Sequence, residues 1–281
     1  MSTHAISDNE FVRVQRFIYE AAGITLSPGK KALVTARWAK RLQAHQCQSY
    51  AQYLQLLTSG QAPDESQVAI DLLTTNETYF FREAKHFELL RELTLAARQR
   101  SAPSFRVWSA ASSSGEEAYS AAMVLADCLG EVAWEVFGSD ISTRVLARAR
   151  TGLYPMERAA RVPLPYLKRF CLKGTGEYEG TLLVDPALRS RVQFRQVNLN
   201  GSLPPLAAFD VIFLRNVMIY FNNETKSRVV TRLASMLKPD GHFLIGHSET
   251  LNGINESLEL VAPGTYRLPG REKERGRRWK P

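Results

Sequence analysis

The sequence predicts an α/β protein: an open, mainly parallel sheet, preceded by a helical unit and interrupted by a small antiparallel β insertion. Three observations predict it. Between residues 10 and 73 the apolar residues recur every three or four positions, as in Phe11, Val14, Phe17, Ile18 and in Tyr50, Tyr53, Leu54, Leu57, which is the helical period. From residue 101 onward, short apolar runs alternate with helical patterns, the signature of strands joined by crossover helices. Between 163 and 191 the pattern breaks into short runs separated by glycines, "RFCLKGTGEYEGTLLVDP", which reads as an insertion of short strands joined by turns.

Taken in order, residues 1–73 form the helical unit, with turns at "SPGK" and "SGQAPDE". Residues 74–100 are a linker and a helix, "EAKHFELLRELTLAARQR". The sheet unit, 101–268, opens with strand "FRVWSAAS" and helix "GEEAYSAAMVLADCLG". It continues with strand "WEVFGSD", helix "ISTRVLARARTG", strands "VQFRQVNLN" and "FDVIFLRN", helix "NETKSRVVTRLASMLKPDG", strand "HFLIGHSE" and a last strand near "LELVAPGTYRL". Residues 269–281 are a basic tail expected to be disordered.

The chain has 281 residues, 44% hydrophobic and 23% charged, an ordinary globular composition. No stretch approaches the roughly 18 apolar residues of a membrane span, and the N-terminal "MSTHAISDNEF" lacks the features of a secretory signal, so a cytoplasmic protein is expected. Cys47, Cys128 and Cys171 are odd in number and widely spaced, which predicts neither a disulfide framework nor a thiolate metal site, and no metal ligands are expected. The net charge of +8 is concentrated in two places. One is the tail; the other is "PGKKALVTARWAKRLQAHQ", where Lys30, Arg37, Lys40 and Arg41 share one side of a helix and Val34, Trp38 and Leu42 form a neighbouring apolar stripe. Such a face is either solvated surface or a dock for an acidic partner.

In open α/β sheets the ligand lies beyond the carboxyl ends of the strands. Here those ends are polar: "SAASSSGEE", then Asp140, then Asn198, then Arg215 with Asn216. Any one of them reads equally well as a turn residue; four in succession point to a ligand. Phosphate loops need glycines and a helix start open to anions. Gly115 stands alone, and Glu116 with Glu117 would repel a diphosphate. A phosphate-free nucleoside carrying a cationic centre and an amino group, as S-adenosylmethionine does, would be attracted. Asp140 is spaced to bind ribose hydroxyls, and Asn198 offers a donor and an acceptor to an adenine edge. In "TTNETYFFRE", residues 74–83, the polar Asn76, Thr78 and Arg82 are interleaved with Tyr79, Phe80 and Phe81, as in a segment lining a site.

Together "TTNETYFFRE", "RVWSAASSSGEEAYS", "FGSDIS", "RNVMIYF" and "LKPDGHFLIGHSE" resemble the CheR family of chemotaxis receptor glutamate methyltransferases over residues 10 to 268. The resemblance implies a Rossmann-like class I methyltransferase fold, S-adenosylmethionine as methyl donor, and glutamate side chains of membrane chemoreceptors as acceptors, with recruitment to those receptors. Family positions for cofactor binding fall on Asn76, Thr78, Arg82, Glu117, Asp140, Asn198, Leu199, Arg215 and Asn216. The same resemblance gives Arg82 and Tyr220 the task of placing the acceptor carboxylate. It has residues 74–83 fold over the cofactor with the aromatic rings excluding water. With acidic, glutamate-bearing receptor helices as partner, the charges of Lys30, Arg37, Lys40 and Arg41 are expected to face them. The resemblance also implies that the glycine turn at Gly174 and Gly176 belongs to a surface that docks a receptor's C-terminal peptide. Two other classes compete. An RNA methyltransferase is suggested by the basic pI near 9.5 but lacks a recognised RNA module, and a noncatalytic adapter would bind the cofactor without turnover.

Overall fold

The computed structural model describes residues 5–130 and 132–270; the basic tail beyond Gly270 lies outside the described residues. Helices α1 (Asp8–Ala22), α2 (Lys31–Ala44), α3 (Tyr50–Thr58) and α4 (Pro63–Leu73) come first, and α5 (Ala84–Gln99) follows the linker. Then come β1 (Ser104–Ala110), α6 (Glu116–Cys128), β2 (Ala133–Asp140), α7 (Thr143–Thr151), β3 (Leu153–Pro155), α8 (Leu164–Phe170), β4 (Cys171–Lys173), β5 (Thr181–Val184) and α9 (Pro186–Arg189). The chain continues through β6 (Val192–Gln196), β7 (Phe209–Leu214), α10 (Asn223–Ala234), β8 (Leu237–Ile245), β9 (Glu259–Ala262) and β10 (Thr265–Arg267).

The main sheet runs β6-β2-β1-β7-β8-β10-β9. Its first five strands are parallel, and β10 and β9 close the edge antiparallel. The chain leaves β1 toward β2 on one side and returns to β7 on the other, so the order reverses beside β1, where such sheets hold ligands. Strand side chains alternate between the two faces. Trp108 and Ala110 of β1 and Ile212 and Leu214 of β7 pack with the four N-terminal helices and α10. Val107 of β1 and Val211 and Phe213 of β7 pack with α5 and α6 on the opposite face. The helical unit therefore shares its apolar core with the sheet. A small sheet, β3-β5-β4, stands apart from the main one and is antiparallel throughout.

Three details differ from the sequence reading. Strand β8 starts at Leu237 and carries "KPDG", expected at a helix end; Asp240 takes a left-handed φ of 61° and the pairing with β7 slips there. The last expected strand is a hairpin, β9 and β10, turned at Gly264 with φ 68°. The small sheet also recruits β3, which precedes the 163–191 segment.

Candidate active site

At the carboxyl ends of β1, β2, β6 and β7 lies a cavity of about 380 Å³, within the usual range of ligand pockets. Its floor is the sheet. Its roof comes from residues after α1: Ile24, Thr25, Leu26, Lys30 and Leu33 all line it. Roof and floor are joined by backbone. Thr25 N–H donates to the Tyr220 carbonyl at 2.8 Å, and Ile24 forms an isolated antiparallel bridge with Phe221.

The cavity wall includes Asn76, Thr78, Arg82, Glu117, Asp140, Asn198, Leu199, Arg215, Asn216 and Tyr220. Every residue expected to bind cofactor is thus brought to one chamber, together with both residues expected to orient the acceptor. In the segment 74–83 the division of labour differs from the expectation that the aromatic rings screen the ligand. Phe80 and Phe81 are buried in the core, Phe80 edge-on to Tyr154 and Phe81 against Phe87 at centroid distances of 5.0 Å. Tyr79 is outside the cavity, with Arg161 over its ring at 4.5 Å. The rings anchor the segment, and the polar side chains between them line the chamber. Phe81 and Glu83 both take left-handed φ values, 53° and 58°. Non-glycine residues adopt this only where the surroundings enforce it, and here the pair turns Arg82 toward the cavity. The Arg82 guanidinium donates to the Glu77 carbonyl at 3.0 Å.

Behind Arg82, Arg215 is fully buried. It donates to the Arg82 carbonyl, lies 3.3 Å from Glu83 Oε2 and 3.2 Å from Glu117 Oε2, and is flanked by the rings of Phe87 and Phe213. Ser109 Oγ donates to the other Glu117 oxygen at 2.6 Å. Burial pushes the Glu117 carboxyl up in pKa despite Arg215 and Ser109. Burial likewise raises Asp140, whose oxygens accept the Ser113 and Ser142 backbone N–H groups, each at 2.9 Å. Two carboxyls facing one cavity against a desolvation penalty suit a ligand that brings positive charge or hydroxyl donors.

Gly115, φ 95°, is at the start of α6, and a side chain there would meet Ala149, Phe194 and Tyr154. The glycine serves packing, and it does not line the cavity. The expectation that Glu116 and Glu117 both guard the phosphate position is corrected: Glu116 is fully buried away from the cavity, 2.5 Å from Arg158 and bonded by Ser114 Oγ. Only Glu117 faces the ligand space. Asn198 lines the cavity, but its amide already donates to the Ala21 carbonyl at 2.6 Å and accepts from Asn200 N–H at 3.0 Å. One hydrogen and one lone pair remain for a ligand.

Of the basic residues expected to face a partner, Lys30 and Lys40 are exposed, and Lys30 stands at the cavity rim. Arg37 and Arg41 are not a free cationic face. Arg37 donates to the Leu72 and Thr74 carbonyls at 3.1 and 2.9 Å, and Arg41 pairs with the buried Glu65. The apolar stripe of α2 packs on α4, so the adjoining arginines reach α4's end and its buried acid. Gly174 and Gly176 lie in the turn between β4 and β5. A side chain on Gly174 would strike the Tyr178 carbonyl at 2.0 Å, and Gly176 has φ 59°. Beside this turn Leu172 and Tyr178 are about half exposed.

Sequence reasoning missed Glu249. It accepts backbone N–H groups from Asn216 and Gly246 at 2.8 Å and from Met218 at 3.0 Å, fixing the turn that carries Asn216, itself at φ 56°, and Tyr220. The acid in "GHSE" was the available signal.

Comparison with known proteins agrees with this geometry. Residues 9–74 match the family described as CheR methyltransferase, all-alpha domain, and residues 76–266 match CheR methyltransferase, SAM binding domain. The chain is similar to proteins named chemotaxis protein methyltransferase from Escherichia coli, 43% identical over 94% of this chain and 92% of the relative, and from Salmonella typhimurium, 42% identical over 94% and 91%. It is also similar to chemotaxis protein methyltransferase 2 of Pseudomonas aeruginosa, 43% identical over 92% of each chain.

Proposed function

The chain belongs to the CheR methyltransferase family and has its S-adenosylmethionine-binding domain, and from that premise we propose that it methylates glutamate side chains of chemoreceptors, forming methyl esters. The observation that carries this reading is the pairing of Arg82 and Tyr220 on the wall of a cavity whose rim bears Lys30 and whose lining holds no histidine among the described residues. A site of that kind is suited to an anionic acceptor that arrives already ionised.

Glu117, Asp140, Asn198 and Leu199 would hold the cofactor, with Asn76, Thr78, Arg215 and Asn216 completing the wall. The largely buried, raised carboxyl of Glu117, already facing Arg215, would gain a second cationic partner when the cofactor binds. Bound there, S-adenosylmethionine supplies an electrophilic methyl group on a positively charged sulfur. A glutamate carboxylate, with an ordinary pKa of about 4.3, needs no base to activate it at neutral pH. The work left to the protein is orientation and exclusion of water. Arg82, aimed by its flanking left-handed residues, would hold one carboxylate oxygen by a charge-assisted hydrogen bond, and the Tyr220 hydroxyl would place the carboxylate from the opposite wall. Lys30 and Lys40 would draw acidic receptor helices toward the mouth. The edge strand β4, with exposed Leu172 and Tyr178 beside the Gly174–Gly176 turn, would take a receptor's C-terminal peptide as an added strand and raise the local concentration of acceptor.

The test is incubation with tritiated methyl donor and receptor-containing membranes. Label released as methanol by alkali is expected. Label appearing in RNA, or bound cofactor with no transfer to protein, would overturn the reading. Calorimetric titration with the receptor tail peptide tests the tether separately: binding lost on deletion of 174–176 supports it, and absence of binding by the intact protein rejects it.

A further inference from the structure

Beside Arg215, which faces both Glu83 and Glu117, lies a cluster that methyl transfer does not use. Glu83 ends the 74–83 segment, His86 is in the first turn of α5, and His247 follows β8. Their ligand-type atoms lie within 4.8 Å of one another. Glu83 Oε2 is 3.5 Å from His86 Nδ1 and 3.8 Å from His247 Nε2, and the two imidazoles meet edge to face at 5.3 Å. His86 is 2% exposed and neither ring nitrogen has a hydrogen-bond partner; the buried Glu83 Oε2 lacks one as well. Buried polar atoms left this way call for a missing partner such as a water or an ion.

The spacing suits a cation. Tetrahedral zinc with bonds of about 2.0–2.1 Å sets its ligand atoms roughly 3.3 Å apart, so the observed separations close with small side-chain adjustments. Two imidazoles and one carboxylate favour zinc-like ions over calcium or magnesium. His247, half exposed, opens the cluster to solvent. Glu83 Oε2 is also the atom that faces Arg215 at 3.3 Å, while Arg215 faces Glu117 of the cofactor chamber at 3.2 Å.

We propose that Glu83, His86 and His247 form a three-ligand site for zinc or a similar divalent cation, with solvent as the fourth ligand, and that its occupation opposes cofactor binding. A cation on Glu83 Oε2 takes from Arg215 one of its two carboxylates and adds positive charge behind the chamber. Binding free energies are reciprocal between sites, so cofactor must weaken the cation by the same factor.

Zinc is titrated into the full chain against a chromophoric chelator, with and without S-adenosylhomocysteine. One zinc per chain is expected, with affinity reduced several-fold by the nucleoside, and calorimetry should show the nucleoside weakened by an equal factor in zinc. His247→Ala, outside the chamber wall, should lose at least tenfold in zinc affinity while binding S-adenosylhomocysteine as before in zinc-free buffer. No stoichiometric zinc binding, or binding undiminished in His247→Ala, overturns the site. Zinc binding that leaves nucleoside affinity unchanged overturns the coupling.

Discussion

Arg215 concentrates the electrostatics of the chamber in one side chain. It is buried, it faces two carboxylates, and the Arg82 carbonyl accepts from it. Arg215→Ala should destabilise the protein by about 3–5 kcal/mol, because two largely but not fully buried acids lose their counter-charge; urea unfolding measures this. Arg82 is half-buried at the cavity wall, and Arg82→Ala should leave stability within about 1 kcal/mol while lowering methyl transfer roughly 100-fold or more, the cost of a misplaced acceptor. Near-normal turnover would remove Arg82 from its assigned role. At this scale the sequence was legible where strand ends fix position: Asp140, Asn198 and Arg215 reach the cavity because β2, β6 and β7 point there. It was illegible where helix rotation decides. Glu116 and Glu117 are neighbours, yet one turns toward Arg158 and the other toward Arg215. Glu83, His86 and His247 meet only through the docking of α5 against the end of β8, which no local spacing encodes.

Among the helices, α2, α3 and α4 are clamped by Glu65. Burial pushes its carboxyl up, but hydrogen bonds from Arg41, Tyr53 and His45, with the Arg41 charge, override that and hold it at about 2. A folded pKa below the ordinary 4.5 gives stability that is full above pH 4.5 and lost as pH falls from there toward 2. The shift corresponds to about 3 kcal/mol. Urea midpoints measured at pH 6 and pH 3 should fall more for the wild type than for Glu65→Gln, and equal falls would refute the clamp. Glu249 is the counterpart clamp on the β7–α10 turn. Glu249→Ala strands at least three backbone donors and should cost about 1–3 kcal/mol, with weaker S-adenosylhomocysteine binding by calorimetry. Element types were readable from periodicity, whereas the strand start at Leu237 was not: "KPDG" looks like a turn, and only pairing with β7 makes it strand.

Across the whole molecule, the helical unit and the sheet unit are stitched by Asp71. This buried acid of α4 accepts the Thr143 and Arg144 backbone N–H groups at 3.1 and 3.0 Å and the Thr143 hydroxyl at 2.7 Å. Helix α7 is thus capped from another part of the chain, its own Ser142 making no capping bond. Asp71→Ala should cost about 1–2 kcal/mol, as loss of a cap does, and unfolding should remain a single transition because both units share one apolar core. Separate transitions for the two units would contradict this. The architecture was visible in the order of patterns along the chain, but such cross-links were not, since an aspartate near a helix end advertises only its own helix.

The ceiling and floor of the ligand chamber come from distant stretches of chain, Ile24 and Thr25 meeting Tyr220 and Phe221. During synthesis, then, the N-terminal helices emerge long before there is anything for them to cover. Ribosome-stalled chains ending short of Phe221 should retain no labelled S-adenosylhomocysteine, whereas released full-length chains should. Nucleoside capture would then mark emergence of the Tyr220–Phe221 turn and could give no help to folding before it.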